Sequence, residues 1–191
     1  MNKFLDDILN EEFKEENLDN IKSHSISIDI TNFTKCEIKN ATFENVLFDK
    51  IIFENCDLSN TKFIDCSFRN TKFINCKLVG TYLMNTHINK VEINNSLCKY
   101  INIVECKLKE LKIEESNFED SSLYNNEVNK LSLTEVNLSH AEIDATSLNK
   151  VDLSTSNISG IKTTLKCLKG AQICEAQSSL LIHLLGIEII D

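Results

Sequence analysis

Apolar residues recur at every fifth position along most of this chain, from Ile28 to Ile173. Of these 30 positions, 29 are apolar, Thr163 is the exception, and no insertion or deletion interrupts the run. Eight of the ten phenylalanines lie in this one register. Neither a helix, with 3.6 residues per turn, nor a simple strand, with a repeat of two, explains a period of five.

A second register lies two residues before the first and holds small or β-branched residues such as Thr31, Cys36 and Ala41. Both registers fit a segment that is extended for three residues, points its first and third side chains inward, and then turns a corner. Four such sides close a coil of twenty residues, and coils stack about 4.8 Å apart. The pattern therefore predicts an all-β solenoid, a quadrilateral parallel β-helix about 36 Å long, over residues 26–175.

The residues expected at the corners support the same register. The position two residues after each central apolar residue is often Asn, and it also holds three of the four glycines, Gly80, Gly160 and Gly170. Asn and Gly tolerate the positive φ that the third residue of a type II turn requires. Some corners carry glutamate instead, and there we expect a different type of turn: Glu105, Glu110, Glu115 and Glu135.

The stretch CDLSNTKFIDCSF at residues 56–68 resembles the pentapeptide-repeat family, whose consensus is roughly A(D/N)LXX. The resemblance covers residues 26–175. It implies that the coil is right-handed, and it is far more specific for the fold than for a function.

The two ends of a solenoid expose apolar core and need caps. Residues 2–16 have the spacing of an amphipathic helix, so we expect residues 1–25 to form a capping helix and a lead-in. A recognition helix for a partner is the alternative. The apolar face of this helix would hold Phe4, Leu5, Ile8, Leu9 and Phe13.

At the other end, residues 175–185 fit a helix that Gly186 terminates, and a short strand would follow. This segment resembles the C-terminal end of the Qnr-type quinolone-resistance proteins, which implies a two-fold homodimer formed by residues 176–191. Capping of the last coil alone is the alternative. The expected dimer interface consists of Leu180, Leu181, Leu184, Leu185, Ile187 and Ile189.

Known catalytic and metal-binding patterns are missing from the sequence. The eight cysteines form no CxxC pair and fall mostly at inward positions, which favours buried thiols over disulfides or zinc ligands. The four histidines are isolated, and no phosphate-binding or dinucleotide fingerprint occurs. We therefore expect no enzyme, no cofactor and no metal.

The net charge limits which partners this chain could bind, and its hydropathy limits where in the cell we expect it. The net charge of -9 disfavours nucleic acid and anionic membranes as partners. The sequence starts with no apolar run of signal-peptide length and contains none that could span a bilayer, so we expect a cytoplasmic protein.

Two outward features remain as candidate partner-binding sites. One is a ring of carboxylates at the four corners of a single coil, for which a merely solubilising belt is the alternative. The other is an apolar stripe of residues twenty apart, suited to a partner interface or a lattice contact. The ring holds Glu105, Glu110, Glu115 and Asp120, with Glu114 and Glu119 beside them, and the stripe holds Ile64, Met84, Val104 and Tyr124.

Resemblance to the Qnr-type proteins implies a rod that imitates duplex DNA, binds a type II topoisomerase such as DNA gyrase, and modulates fluoroquinolone susceptibility. The residues themselves support this role only through the acidic charge of the rod and the expected two-fold axis of a dimer. A structural or scaffolding module with an unrelated protein partner and no gyrase activity stays open.

Overall fold

The computed structural model describes residues 3–187 and has the architecture that the period of five predicts. The chain winds into a right-handed quadrilateral parallel β-helix of about 8 turns. Three-residue strands alternate with corners, and four longer strands run round a corner from one side to the next. In chain order the strands are β1 (Ile8–Leu9), β2 (Glu12–Lys14), β3 (Lys22–His24), β4 (Ser27–Asp29), β5 (Asn32–Thr34), β6 (Thr42–Glu44), β7 (Leu47–Asp49), β8 (Ile52–Glu54), β9 (Lys62–Ile64), β10 (Ser67–Ile74), β11 (Tyr82–Met84), β12 (His87–Asn94), β13 (Asn102–Val104), β14 (Lys107–Glu114), β15 (Ser122–Tyr124), β16 (Glu127–Thr134), β17 (Glu142–Asp144) and β18 (Lys162–Thr163).

Strand pairing confirms a coil of twenty residues. Every pair is parallel and joins residues twenty apart, such as Ile8 with Ile28 and Phe68 with Ile88. The first side of the coil contains β1, β4 and β7, and the second side contains β2, β5 and β8, with β10, β12, β14 and β16 spanning both. The third side is joined by single bridges such as Asn17 to Glu37. The fourth side is the sheet from β3 through β17 to β18.

The core is filled by stacked rings in the N-terminal half, as the spacing of the phenylalanines predicts. Phe53 lies between Phe33 and Phe73, with ring centroids 4.8 and 5.0 Å away and planes within 16° of parallel. Phe43 stacks on Phe63 at 5.3 Å in a second ladder. Beyond Leu78 and as far as Ile158 the central positions are aliphatic except for Cys98 and Phe118, and within residues 3–187 the inward side chains leave no lumen.

Left-handed backbone occurs at every corner from Asn10 to Lys150, with φ between 48° and 68°. The expectation of a different turn at the glutamate corners is therefore wrong. Most corner N–H groups donate to a carbonyl of the next coil, as from Glu105 N to Tyr124 O at 3.0 Å, and the Glu135 N–H donates to Thr155 Oγ1 of the next coil at 3.1 Å. Since this bond holds the coils in register, the stack fixes the corner conformation for any residue type. The glutamate corners have φ of 55°, 53°, 48° and 54° at Glu105, Glu110, Glu115 and Glu135.

The expected N-terminal helix over residues 2–16 is also wrong. Within residues 3–16, only Lys3–Leu5 forms a single 3₁₀ turn, and β1 and β2 then begin the first coil. Phe13 lies in the core register and stacks on Phe33 at 4.9 Å, which outweighs the helical spacing of this segment. Phe4 covers the end of the rod, 5.5 Å from Phe13 and 2% exposed.

At the C-terminal end the repeat stops earlier than residue 175. The helix α1 (Leu165–Leu168) replaces the next strand, and Ile173 is exposed rather than inward. The expected helix over residues 175–185 forms as a 3₁₀ turn at Glu175–Gln177, the helix α2 (Ser178–Leu181) and a 3₁₀ turn at Ile182–Leu185. Gly186 ends it with a φ of 68°.

Ile187 lies in no strand, and Ile189 falls outside the described residues. None of the helices in residues 3–187 has the length and apolar character needed to cross a lipid bilayer.

Candidate interaction surfaces

The interior of the rod is occupied by packed side chains, and its cysteines are part of that packing. Seven of the eight thiols are buried and all eight are free. The Cys66 thiol donates to the carbonyl oxygens of Phe43 and Ile64, both at 3.3 Å, and burial raises its pKa to about 12. Burial likewise raises the pKa of Cys106 to about 11. Within residues 3–187, no three His, Cys, Asp or Glu side chains come together in a way that could hold a metal ion.

The carboxylate ring does occupy the four corners of one coil, as the sequence predicts. Corners of a solid coil point in four directions, so a flat partner can reach two of them at most. Three of the acids are also bridged by lysine: Glu119 to Lys99 at 2.9 Å, Glu114 to Lys112 at 2.8 Å and Glu110 to Lys130 at 3.7 Å. The Lys99 bond lowers the pKa of Glu119. The ring is therefore not a single site.

The apolar stripe is one continuous surface on the fourth side. Strand register places Met84 between Ile64 and Val104, and Val104 next to Tyr124. Met84 is 37% exposed and Tyr124 is 49% exposed, while Ile64 and Val104 are half-buried.

Sequence reasoning missed two aromatic residues beside this stripe. Tyr82, on β11, donates its hydroxyl to the Met84 sulfur at 3.4 Å. Tyr100, 52% exposed, lies at the corner between the third and fourth sides. All three tyrosines of the chain therefore lie on or beside the fourth side. We call this surface the tyrosine face: Ile64, Tyr82, Met84, Tyr100, Val104 and Tyr124.

Charge is distributed unevenly around the rod. The corner between the first and second sides carries Lys50, Lys90, Lys130 and Lys150 in one column, with Glu110 between Lys90 and Lys130, next to a groove of about 450 Å³. The fourth side and its two corners form an acidic surface between residues 42 and 145. There six carboxylates accompany one lysine: Glu44, Asp65, Glu105, Asp120, Glu142 and Asp144, with Lys62. Beyond this stretch the same side carries Lys22 and Lys162, and Lys162 is bonded to Glu142 at 2.6 Å.

The expected dimer residues divide into inner and outer groups. Leu181 packs against the core, and Leu184 is half-buried. Leu180, Leu185 and Ile187 are 36%, 57% and 49% exposed, so an apolar surface is open at this end of the rod.

Gln177, which sequence reasoning assigned no role at this end, closes the last coil. Its side-chain amide donates to the carbonyls of Leu153 at 2.9 Å and Ser156 at 2.7 Å. Its side-chain oxygen accepts from the Cys174 N–H at 3.0 Å.

Residues 46–123 match the family model described as pentapeptide repeat region. No curated protein matches the chain in sequence. Among solved structures, HetL, a pentapeptide repeat protein involved in heterocyst differentiation regulation in the cyanobacterium Nostoc sp. strain PCC 7120, is 15% identical. That likeness covers 87% of this chain and 86% of HetL with a TM-score of 0.44. A trypsin-treated form of QnrB1, a plasmid-mediated fluoroquinolone resistance protein, is 18% identical over 97% of this chain and 100% of its own, with a TM-score of 0.39.

Proposed function

This chain is a pentapeptide-repeat protein, and we propose that it is a non-enzymatic, cytoplasmic rod that binds DNA gyrase, a type II topoisomerase, in place of duplex DNA. Binding would modulate susceptibility to fluoroquinolones. The observation that carries this proposal is the net negative fourth side, where, within residues 3–187, six carboxylates accompany three lysines and only Glu142 among the six is bonded to a lysine of that side, Lys162. A positively charged groove that accepts DNA would accept this side and repel the lysine column.

The linear charge density of the rod is lower than that of duplex DNA. Duplex DNA carries one negative charge per about 1.7 Å of its axis. A net charge of -9 spread over a rod of about 38 Å gives one charge per about 4 Å, which is much sparser. The acids of the fourth side do not raise this linear density, so we infer that the sign of the charge and its placement on one side, rather than its density, would be recognised.

We further propose that two chains pair through the C-terminal segment. Leu180, Leu185 and Ile187 expose apolar area that one capped coil does not use. A two-fold pairing would bury this area and double the length of the acidic side.

Supercoiling by purified gyrase, with and without a quinolone, tests the partner. We expect the wild-type chain to change supercoiling or its inhibition at micromolar concentration. The variant Asp65→Asn, Glu105→Gln, Asp120→Asn should lose most of this effect. A control with three charges removed from the first and second sides, Glu12→Gln, Glu54→Gln and Glu127→Gln, should keep it. No effect of the wild-type chain in either condition contradicts the proposal.

A scaffolding role with an unrelated protein partner is the second candidate. The tyrosine face favours it, because imitation of a phosphate backbone requires no exposed tyrosine or methionine.

A further inference from the structure

We propose that the tyrosine face is a docking site for an extended, arginine-bearing segment of a partner protein. This inference rests on the proposed protein-binding role of the rod but not on gyrase as the partner. It deepens that role by naming the chemistry of the segment that binds.

None of the three tyrosines belongs to the buried core of the rod. Tyr100 and Tyr124 are about half exposed, and Met84 is 37% exposed, although the chain has many polar residues at equivalent outward positions. Tyrosine and methionine are residues that protein interfaces favour. Three coil steps separate Ile64 from Tyr124, so the stripe is about 14 Å long and fits four or five residues of an extended segment.

The rim of this surface requires positive charge from a partner. Within residues 3–187, four of its carboxylates form no ion pair with a lysine or arginine: Asp65, Glu105, Asp120 and Asp144. Asp65 and Glu105 border the stripe on one corner and Asp120 on the other. An apolar strip between two acidic borders should bind a segment that carries positive charge and can also stack on the tyrosine rings.

Arginine meets both requirements better than lysine. The planar guanidinium stacks on aromatic rings and binds a carboxylate through two hydrogen bonds, while the ammonium is compact and strongly hydrated. The rod already places a cation of its own over one of these rings. Lys99 Nζ lies 5.4 Å from the Tyr100 centroid while it is bonded to Glu119.

The same charges disfavour the other occupants. A second copy that docked through this face would bring two acidic rims together, with only Lys62 on each side to offset them. Nucleic acids and anionic membranes are repelled for the same reason.

The test uses the full chain and two fluorescently labelled peptides of equal charge, one with three Arg-Gly-Ser units and one with three Lys-Gly-Ser units. Anisotropy is measured at about 150 mM salt, where nonspecific attraction is screened. We expect the arginine peptide to bind about tenfold more tightly than the lysine peptide. Since the chain has no Trp, its tyrosine fluorescence reports on this face alone, and unlabelled arginine peptide should change it.

The variant Tyr82→Thr, Tyr100→Asn, Tyr124→Thr keeps the net charge and should bind both peptides equally and weakly. Its matched control removes exposed apolar residues from the other sides, Ile30→Asn, Ile52→Thr and Leu97→Thr, and should keep the preference for arginine. Circular dichroism verifies that both variants fold. Equal binding of the two peptides to the wild-type chain, or an arginine preference that survives loss of the tyrosines, overturns the proposal. Gyrase activity is a separate readout, so failure of one proposal does not decide the other.

Discussion

A corner residue adopts the conformation that the stack requires, whatever its side chain. Asn and Gly accept positive φ readily, whereas a β-branched residue in this region is strained by about 1–2 kcal/mol. Ile30 is such a residue, with φ of 49° and a side chain that is 48% exposed. The strain at Ile30 is therefore not offset by burial.

The substitution Ile30→Asn should raise the free energy of unfolding by about 1 kcal/mol, because it relieves this strain without removing a core side chain. Urea unfolding measures the change. Ile52→Asn is the control, since Ile52 is 37% exposed on strand β8 and does not have positive φ. A stabilisation of the same size in the control would show that surface polarity, not backbone strain, is responsible.

The buried thiols predict how stability depends on pH. Burial raises the pKa of Cys66 from 9.0 to about 12, so above pH 9 the unfolded chain loses this proton while the folded chain keeps it. Its contribution to stability is therefore complete below pH 9 and decreases as the pH rises towards 12. Between pH 8 and pH 10.5 the wild-type chain should lose about 2 kcal/mol more than Cys66→Ser does. Equal losses in the two proteins would contradict the assigned burial.

Inward side chains that stack on residues twenty positions away hold successive coils of the rod together. The substitution Phe53→Ala removes a ring from the middle of one ladder, where Phe33 and Phe73 lie within 5.0 Å on either side. We expect a loss of about 3–5 kcal/mol from the cavity that remains. Lys62→Ala, on the outer surface of β9, should change little. If chemical denaturation found both variants equally stable, the inward register would be wrong.

The C-terminal cap depends on one buried amide. The substitution Gln177→Ala leaves the Ser156 carbonyl without its partner and removes one of two donors to the Leu153 carbonyl, and it should cost about 1–3 kcal/mol. Gln172→Ala, at an exposed position, serves as the control and should be nearly neutral. Hydrogen exchange should show faster opening of the last coil in Gln177→Ala than in the control. Equal exchange rates of the last coil in the two variants would show that Gln177 does not close it.

For the whole molecule, pairing of C-terminal ends predicts an assembly with twice the 21.7 kDa mass of the chain. Light scattering at high protein concentration measures this directly. Deletion of residues 176–191 should abolish the pairing, and because it removes Gln177 it should also lower solubility. The variant Leu185→Ser changes a side chain that is 57% exposed and separates the two effects, since it should reduce pairing without loosening the cap. A mass near that of one chain for the wild type contradicts the dimer.

Much of this molecule follows from the linear order of its residues. The period of five predicts the coil, the inward residues and the phenylalanine ladders, because each coil repeats the same local geometry and packs on a nearly identical neighbour. The period also predicts where the corners lie. It does not predict that Glu105 and Ile30 adopt the same positive φ as the asparagines at other corners. The stripe of Ile64, Met84, Val104 and Tyr124 is predictable because its members are twenty residues apart.

The ends and the tyrosine face could not be derived in this way. Residues 8–14 have spacing compatible with a helix, and only the aromatic surface of the second coil, which stacks on Phe13, makes them strands. Tyr82 and Tyr100 belong to different positions of the repeat, so their proximity to the stripe depends on how strands and corners meet in space. The closure of the last coil by Gln177 likewise joins residues more than twenty positions apart. Local periodicity specifies a unit that repeats, whereas contacts between different units, and at the ends where the repeat stops, exist only once the coils are stacked.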